Sequence, residues 1–378
     1  MSVTLVRLGT AFTAASLAVA LLWGSSQAPS WNPKAAAQYL DRREAWWSDW
    51  PPARLDHGTF CISCHTAVPY ALARPGLRAE LGENAIPETE RRLLENVRQR
   101  VRLWDTERPF YTESSGPNKK IESRGTEAVL NALVLATADS PTAKLSNDAR
   151  SAFEHLWALQ QKSGDLAGSW PWLNFGNEPF EAADSVFYGA SLAALAVAVA
   201  PENYRATPEI QPNLRLLRDY LGRECARAPL IHQAVALWAA TKWAGLLDSS
   251  RQKAIIESVL AKQQSSGGWS LSTMGWTWHG SSLRSLANLW IRSNDSPLAG
   301  KSDGYATGLI VYVLGQTGLR RDELHLQRGR SWLLRNQNPD DGSWPGYSLV
   351  NRRDPSSGTG LFMKDAATAY AVLALTGR

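Results

Sequence analysis

Cysteine and methionine are both scarce in this chain, with three of each among 378 residues. Two of the cysteines share one short segment, so no disulfide framework can be built, and Cys225 stands alone in a helical stretch as a small buried hydrophobe. Charge of one sign is also missing. The formal net charge is +5, and basic residues come as scattered pairs such as Lys119–Lys120 and Arg352–Arg353. No basic stripe exists to follow a phosphate backbone, which excludes a nucleic-acid partner. Long apolar runs are absent after residue 28, so nothing in the body of the chain is expected to span a membrane.

The first residues do hold a short apolar run. Arg7 precedes the stretch from Thr10 to Trp23, and the small residues Ser25, Ser26 and Ala28 follow. Residues 1–28 read as an export signal, which places the folded part in the periplasm or otherwise outside the cytoplasm. Cleavage after Ala28 would put Pro29 first, a poor peptidase product, so an uncleaved signal acting as a membrane tether is the alternative.

The paired cysteines lie in Phe60–Thr66, which reads Phe-Cys-Ile-Ser-Cys-His-Thr. In a Cys-x-x-Cys-His segment the two thiols add across the vinyl groups of a haem, and the adjacent His becomes the proximal iron ligand. A thioredoxin-like redox pair needs a βαβ context, and a zinc half-site needs two further ligands where only His57 is near. One covalently bound haem c on Cys61, Cys64 and His65 is therefore the expectation. The segment resembles c-type cytochromes locally. For the sixth ligand the sequence offers His279, Met274, Met363 or His57, or leaves the iron open. His155 and His325 are weaker candidates. Residues 29–115 form the haem-binding segment, with a helix-like run from Pro87 to Trp104. They are few for a self-sufficient core, so the haem is expected to pack partly against the C-terminal domain.

From about Gly125 the chain repeats itself. Leu159-Gln160-Gln161 leads to Gly168-Ser169-Trp170, Lys262-Gln263-Gln264 to Gly267-Gly268-Trp269, and Asn336-Gln337 through Asp341-Gly342-Ser343 to Trp344. Each follows an amphipathic helical pattern and precedes a helix rich in small residues. A period of about fifty residues per helix pair marks a repeat architecture. The Gly permits a tight turn, the Gln binds backbone at a helix end, and the Trp packs against its neighbour. Most of the 17 tryptophans are assigned to such packing.

These units resemble the repeats of the squalene–hopene and oxidosqualene cyclase superfamily, whose ring is shared with protein prenyltransferase β-subunits. The resemblance covers about two thirds of the chain. It implies an all-α fold, an α/α toroid of repeated helix pairs over residues 116–378, preceded by the haem-binding helical segment. The Asp-x-Asp-Asp acid of the cyclases does not occur, and Cys225 is the one Cys available for a prenyltransferase-like zinc. The ring is thus implied without either chemistry.

In such a ring the inner helices open toward one mouth of a central cavity. Glu127, Asp184, His232, Asp303 and Asp365 fall near those positions, where a carboxylate also serves as a helix cap. Trp276 and Trp278 join them through the Gly-flanked segment that carries Met274 and His279. The resulting expectation is an exported haem-dependent oxidoreductase with an apolar, isoprenoid-like substrate and a redox partner protein. An electron-transfer, lipid-binding or partner-binding module without catalysis is the alternative, and a terpene cyclase with another acid the third.

Overall fold

Two kinds of helix alternate along the chain, and their compositions explain where each goes. The computed structural model describes residues 30–274, 300–320 and 323–377. The outer set is α1 (Pro33–Asp49), α3 (Glu88–Arg102), α5 (Asn147–Leu159), α7 (Gln211–Glu224), α9 (Ser249–Ala261) and, by our numbering, α11 (Leu324–Arg335). These are amphipathic, with charged residues toward water and one apolar face inward. The inner set is α2 (Ala67–Leu81), α4 (Lys119–Asp139), α6 (Ser185–Val199), α8 (Leu230–Lys242), α10 (Gly304–Gln316) and α12 (Phe362–Thr376). Of these, α6, α8, α10 and α12 are apolar nearly all round, as α6 shows with Ala190, Leu192, Ala193, Ala194, Leu195 and Ala196 all buried, while α2 and α4 carry charged residues toward one end. A helix of that composition must be covered on every side.

The inner helices form a closed ring. Each packs on the next, α2 on α4, α4 on α6, α6 on α8, α8 on α10, α10 on α12, and α12 returns to α2. The outer helices flank them, with α1 against α2 and α12, α5 against α4, α7 against α6, α9 against α8 and α11 against α10. The molecule is an all-helical α/α toroid. The segment 29–115 supplies α1, α2 and α3, so it forms part of the ring's circumference.

The repeat turns link neighbouring pairs by one device used three times. The indole Nε1–H of Trp170 donates to the Leu156 carbonyl, that of Trp269 to Val259 and that of Trp344 to Leu333, each at the end of the preceding outer helix. The glutamine amide spans two units. Gln160 donates to the carbonyls of Gly168 and Asn213, Gln263 to Gly267 and His325, and Gln337 to Gly342 and Asn32. The second acceptor lies each time at the start of the next outer helix. Through Gln337 that next helix is α1, at the other end of the chain. Gly342 at φ +79° lies against Ala35 in the same contact, where a Cβ would come 2.3 Å from the Ala35 carbonyl carbon.

Candidate functional site

The Cys-x-x-Cys-His segment is the loop that leads into α2. Asn96 clasps it from α3, accepting from the Phe60 N–H at 2.8 Å and donating to the Phe60 carbonyl at 3.0 Å. Trp47 of α1 donates to the Cys61 carbonyl at 2.6 Å. Ser63 Oγ accepts from the N–H groups of Thr66 and Ala67, satisfying backbone donors at the start of α2 that have no partner within the helix. The loop is thus held by side chains from two outer helices and by its own serine.

Cys61, Cys64 and His65 line one wall of a cavity of about 240 Å³. Its other walls come mostly from the links that precede inner helices, with Phe110 and Tyr111 before α4, Leu173, Asn177, Glu178, Phe180 and Glu181 before α6, and residues between Ser348 and Gly360 before α12. The helices themselves add Thr126 of α4 and Phe362 and Met363 of α12. Trp47, Trp50 and Phe362 add aromatic surface, and Arg353 adds a cation. The cavity therefore sits at the mouth where the inner helices begin. Cys61 and Cys64 are free thiols, and burial pushes the pKa of both upward. His65 stacks on Phe362 with ring centroids 3.8 Å apart and meets the edge of Trp47 at 5.1 Å. Burial, with Arg353 and Arg43 nearby, lowers its pKa to about 3, so its imidazole is neutral at ordinary pH.

Two carboxyls share the cavity. Burial raises Glu178 to about 7, with Asp184 adding to the rise, and burial also raises Glu181. Neither was singled out from sequence. The available signal was length, because the links 171–184 and 345–361 are longer than a turn between packed helices needs.

The residues expected at the mouth are placed differently from one another. Glu127 lies inside α4, fully buried, and pairs with Arg100 at 2.6 Å and Arg124 at 3.3 Å. Asp303 caps α10 by accepting from the Ala306 N–H and also accepts from the Leu271 N–H. His232 Nε2 lies 2.8 Å from the Pro179 carbonyl. Asp184 immediately precedes α6 without a side-chain capping bond. None of these four lines the cavity, and neither does Asp365. Asp365 nevertheless reaches the motif, accepting from Thr66 Oγ1 at 2.8 Å while Arg43 and Tyr39 donate to it. Among the candidate sixth ligands, Met363 lines the cavity. Met274 is buried outside its lining, and His57 pairs with Glu107 at 2.9 Å, half-exposed. Trp276, Trp278 and His279 lie outside the described residues, as does the expected signal at 1–28.

No protein-family model matches the chain, and no curated protein matches it. Among solved structures, it is similar to an inactive variant of an α-1,6-mannanase from Salegentibacter sp. HEL1_6, determined in complex with α-1,6-mannotriose. The identity is 12%, the match covers 90% of this chain and 100% of the other, and the TM-score is 0.49. The expectation of a haem-dependent oxidoreductase, with its electron-transfer, lipid-binding and cyclase alternatives, is corrected at this point. The structure found is that of a mannanase. Among the described residues, no three His, Cys, Asp or Glu side chains converge as a site for a metal ion.

Proposed function

We propose that the cavity at the ring's mouth is a covalent attachment site for one haem c, on Cys61, Cys64 and His65. The observation that carries this reading is that both free thiols and the neutral imidazole face one aromatic-walled cavity. The donor chemistry fits the group. Two thiols separated by two residues suit its two vinyl positions, and the next residue supplies an imidazole nitrogen. Trp47, Trp50, Tyr111 and Phe362 offer apolar surface to a macrocycle, while Arg353 can receive a carboxylate at its edge. Met363 is the sixth-ligand candidate that shares this cavity. Bound there, the group would supply an iron centre, and His65 and Met363 are the cavity residues that could hold the iron. Export, through the signal read in residues 1–28, belongs to the same proposal, and kinship with the cyclase superfamily rests on the Gln…Gly-x-Trp turns.

The test is expression of the whole chain in a host with cytochrome c maturation. Haem should stay on the polypeptide through a denaturing gel, and the Cys61→Ala/Cys64→Ala double variant should lose it. A wild-type chain without covalent haem overturns the reading.

A second reading has its own observation. Glu178 and Glu181 are two cavity carboxyls raised by burial, beside the amides of Asn177 and Asn351 and the aromatic walls. That is a donor set for general acid–base cleavage of a polyhydroxylated substrate. Hydrolysis of a polysaccharide by a haem-free chain, abolished in Glu178→Gln, would favour it.

A further inference from the structure

His65, Thr66 and Asp365 form a hydrogen-bonded chain across the seam where the two ends of the polypeptide meet. Thr66 Oγ1 donates to Asp365 Oδ2 at 2.8 Å and lies 2.9 Å from His65 Nδ1. Asp365 is committed as an acceptor. Arg43 donates to both its oxygens at 2.7 and 2.9 Å, and Tyr39 donates to Oδ1 at 2.9 Å. Thr66 has a single hydroxyl proton, and it goes to the carboxylate. The hydroxyl oxygen can therefore only accept from His65, which places the imidazole proton on Nδ1.

We infer that Asp365, acting through Thr66, is a positioning residue that fixes His65 as its Nδ1–H tautomer and leaves the Nε2 lone pair for the cavity. The inference rests on the reading of His65 as a ligand in that cavity, but the tautomer is a property of the chain alone. A carboxylate behind a histidine fixes ring orientation and raises the basicity of the other nitrogen, as it does behind metal-bound histidines. Here the carboxylate acts through one intervening hydroxyl. The arrangement also ties the site to ring closure, because Asp365 belongs to the last inner helix and His65 lies two residues before the start of the first.

The experiment is nitrogen NMR on the full-length chain with 15N-labelled histidine, the His65 signals being assigned by their loss in His65→Gln. Wild type should show the Nδ1–H form. Thr66→Val, which keeps the shape and removes the hydroxyl, should lose it to a mixture or to the Nε2–H form, and Thr66→Ser should restore it. A wild-type Nε2–H form, or a Thr66→Val spectrum unchanged from wild type, overturns the inference. In chain that has taken up haem, Thr66→Val should raise the reduction potential and Thr66→Ser should return it toward wild type. An unchanged potential in Thr66→Val counts against the relay. Failure of haem to attach overturns the proposed function and leaves the tautomer measurement to judge this inference separately.

Discussion

At the scale of single residues, burial decides what a charge is for. Glu127 looked like a group at the cavity mouth, yet it belongs to an ion cluster between α3 and α4. Arg100 pairs there with Glu127 at 2.6 Å and Glu107 at 3.2 Å, all three side chains fully buried. Such clusters hold because every charge is paired, and removing one partner leaves the others buried and uncompensated. Arg100→Met should therefore cost about 3–5 kcal/mol, read as a lower urea midpoint with an unchanged slope. Glu178 gives a pH prediction of opposite character. Its pKa rises on folding from 4.5 to about 7, so between those values the folded chain binds more protons than the unfolded one. The stability it contributes is complete below pH 4.5 and is lost as pH rises through 7. At about 1.4 kcal/mol per pH unit, the upper bound is about 3 kcal/mol, reduced by solvent at its partly exposed side. Glu178→Gln should flatten that part of the stability profile, measured by denaturation at pH 5 and pH 8 in wild type and variant.

Elements in this ring approach each other by means of small residues, and one helix provides a paired test. Gly308 in α10 faces α12 so closely that a Cβ would lie 2.4 Å from the Tyr370 carbonyl carbon, whereas at Gly315 nothing lies within 4 Å. Helix propensity alone favours Ala over Gly by about 1 kcal/mol at an interior position. At Gly315, in the last turn of α10, a smaller part of that effect stands unopposed, so Gly315→Ala should raise the melting temperature slightly. At Gly308 the backbone of α12 cannot yield cheaply, and overpacking of about 1–3 kcal/mol exceeds the gain. Gly308→Ala should lower the melting temperature. Much of this scale was legible beforehand. The small residues of the inner helices and the Gln…Gly-x-Trp turns are local signals, and the turns form the hydrogen bonds that their residue types suggest. The partner of each Gln beyond its own turn was not legible, because it sits on the next unit.

For the whole molecule the decisive fact is closure. Gln337 exchanges hydrogen bonds with Asn32, accepting from its N–H at 2.6 Å and donating to its carbonyl at 2.9 Å, and α12 packs on α2. Residues 116–378 by themselves lack α1, α2 and α3, which leaves the apolar sides of α4 and α12 without cover. A ring opened in this way forfeits burial on both flanks of the gap, and repeat units depend on their neighbours. Expressed alone, 116–378 should aggregate or unfold without a cooperative transition by circular dichroism. Residues 29–115 alone should likewise fail to give a defined fold.

The sequence by itself determined the helical repeat, its turn chemistry and the spacing of Cys61, Cys64 and His65, because each is written within a few residues of chain. Tertiary structure alone decided which groups meet. It brought Asp365 to Thr66 across 299 positions, put Glu127 into an ion cluster outside the cavity's lining, and lined that cavity with Asn177, Glu178, Glu181, Arg353 and Phe362. The physical reason is that periodicity and capping act over one or two helical turns. Convergence at the mouth depends on how the described inner helices close into a ring, and closure is fixed by packing summed over the whole circumference.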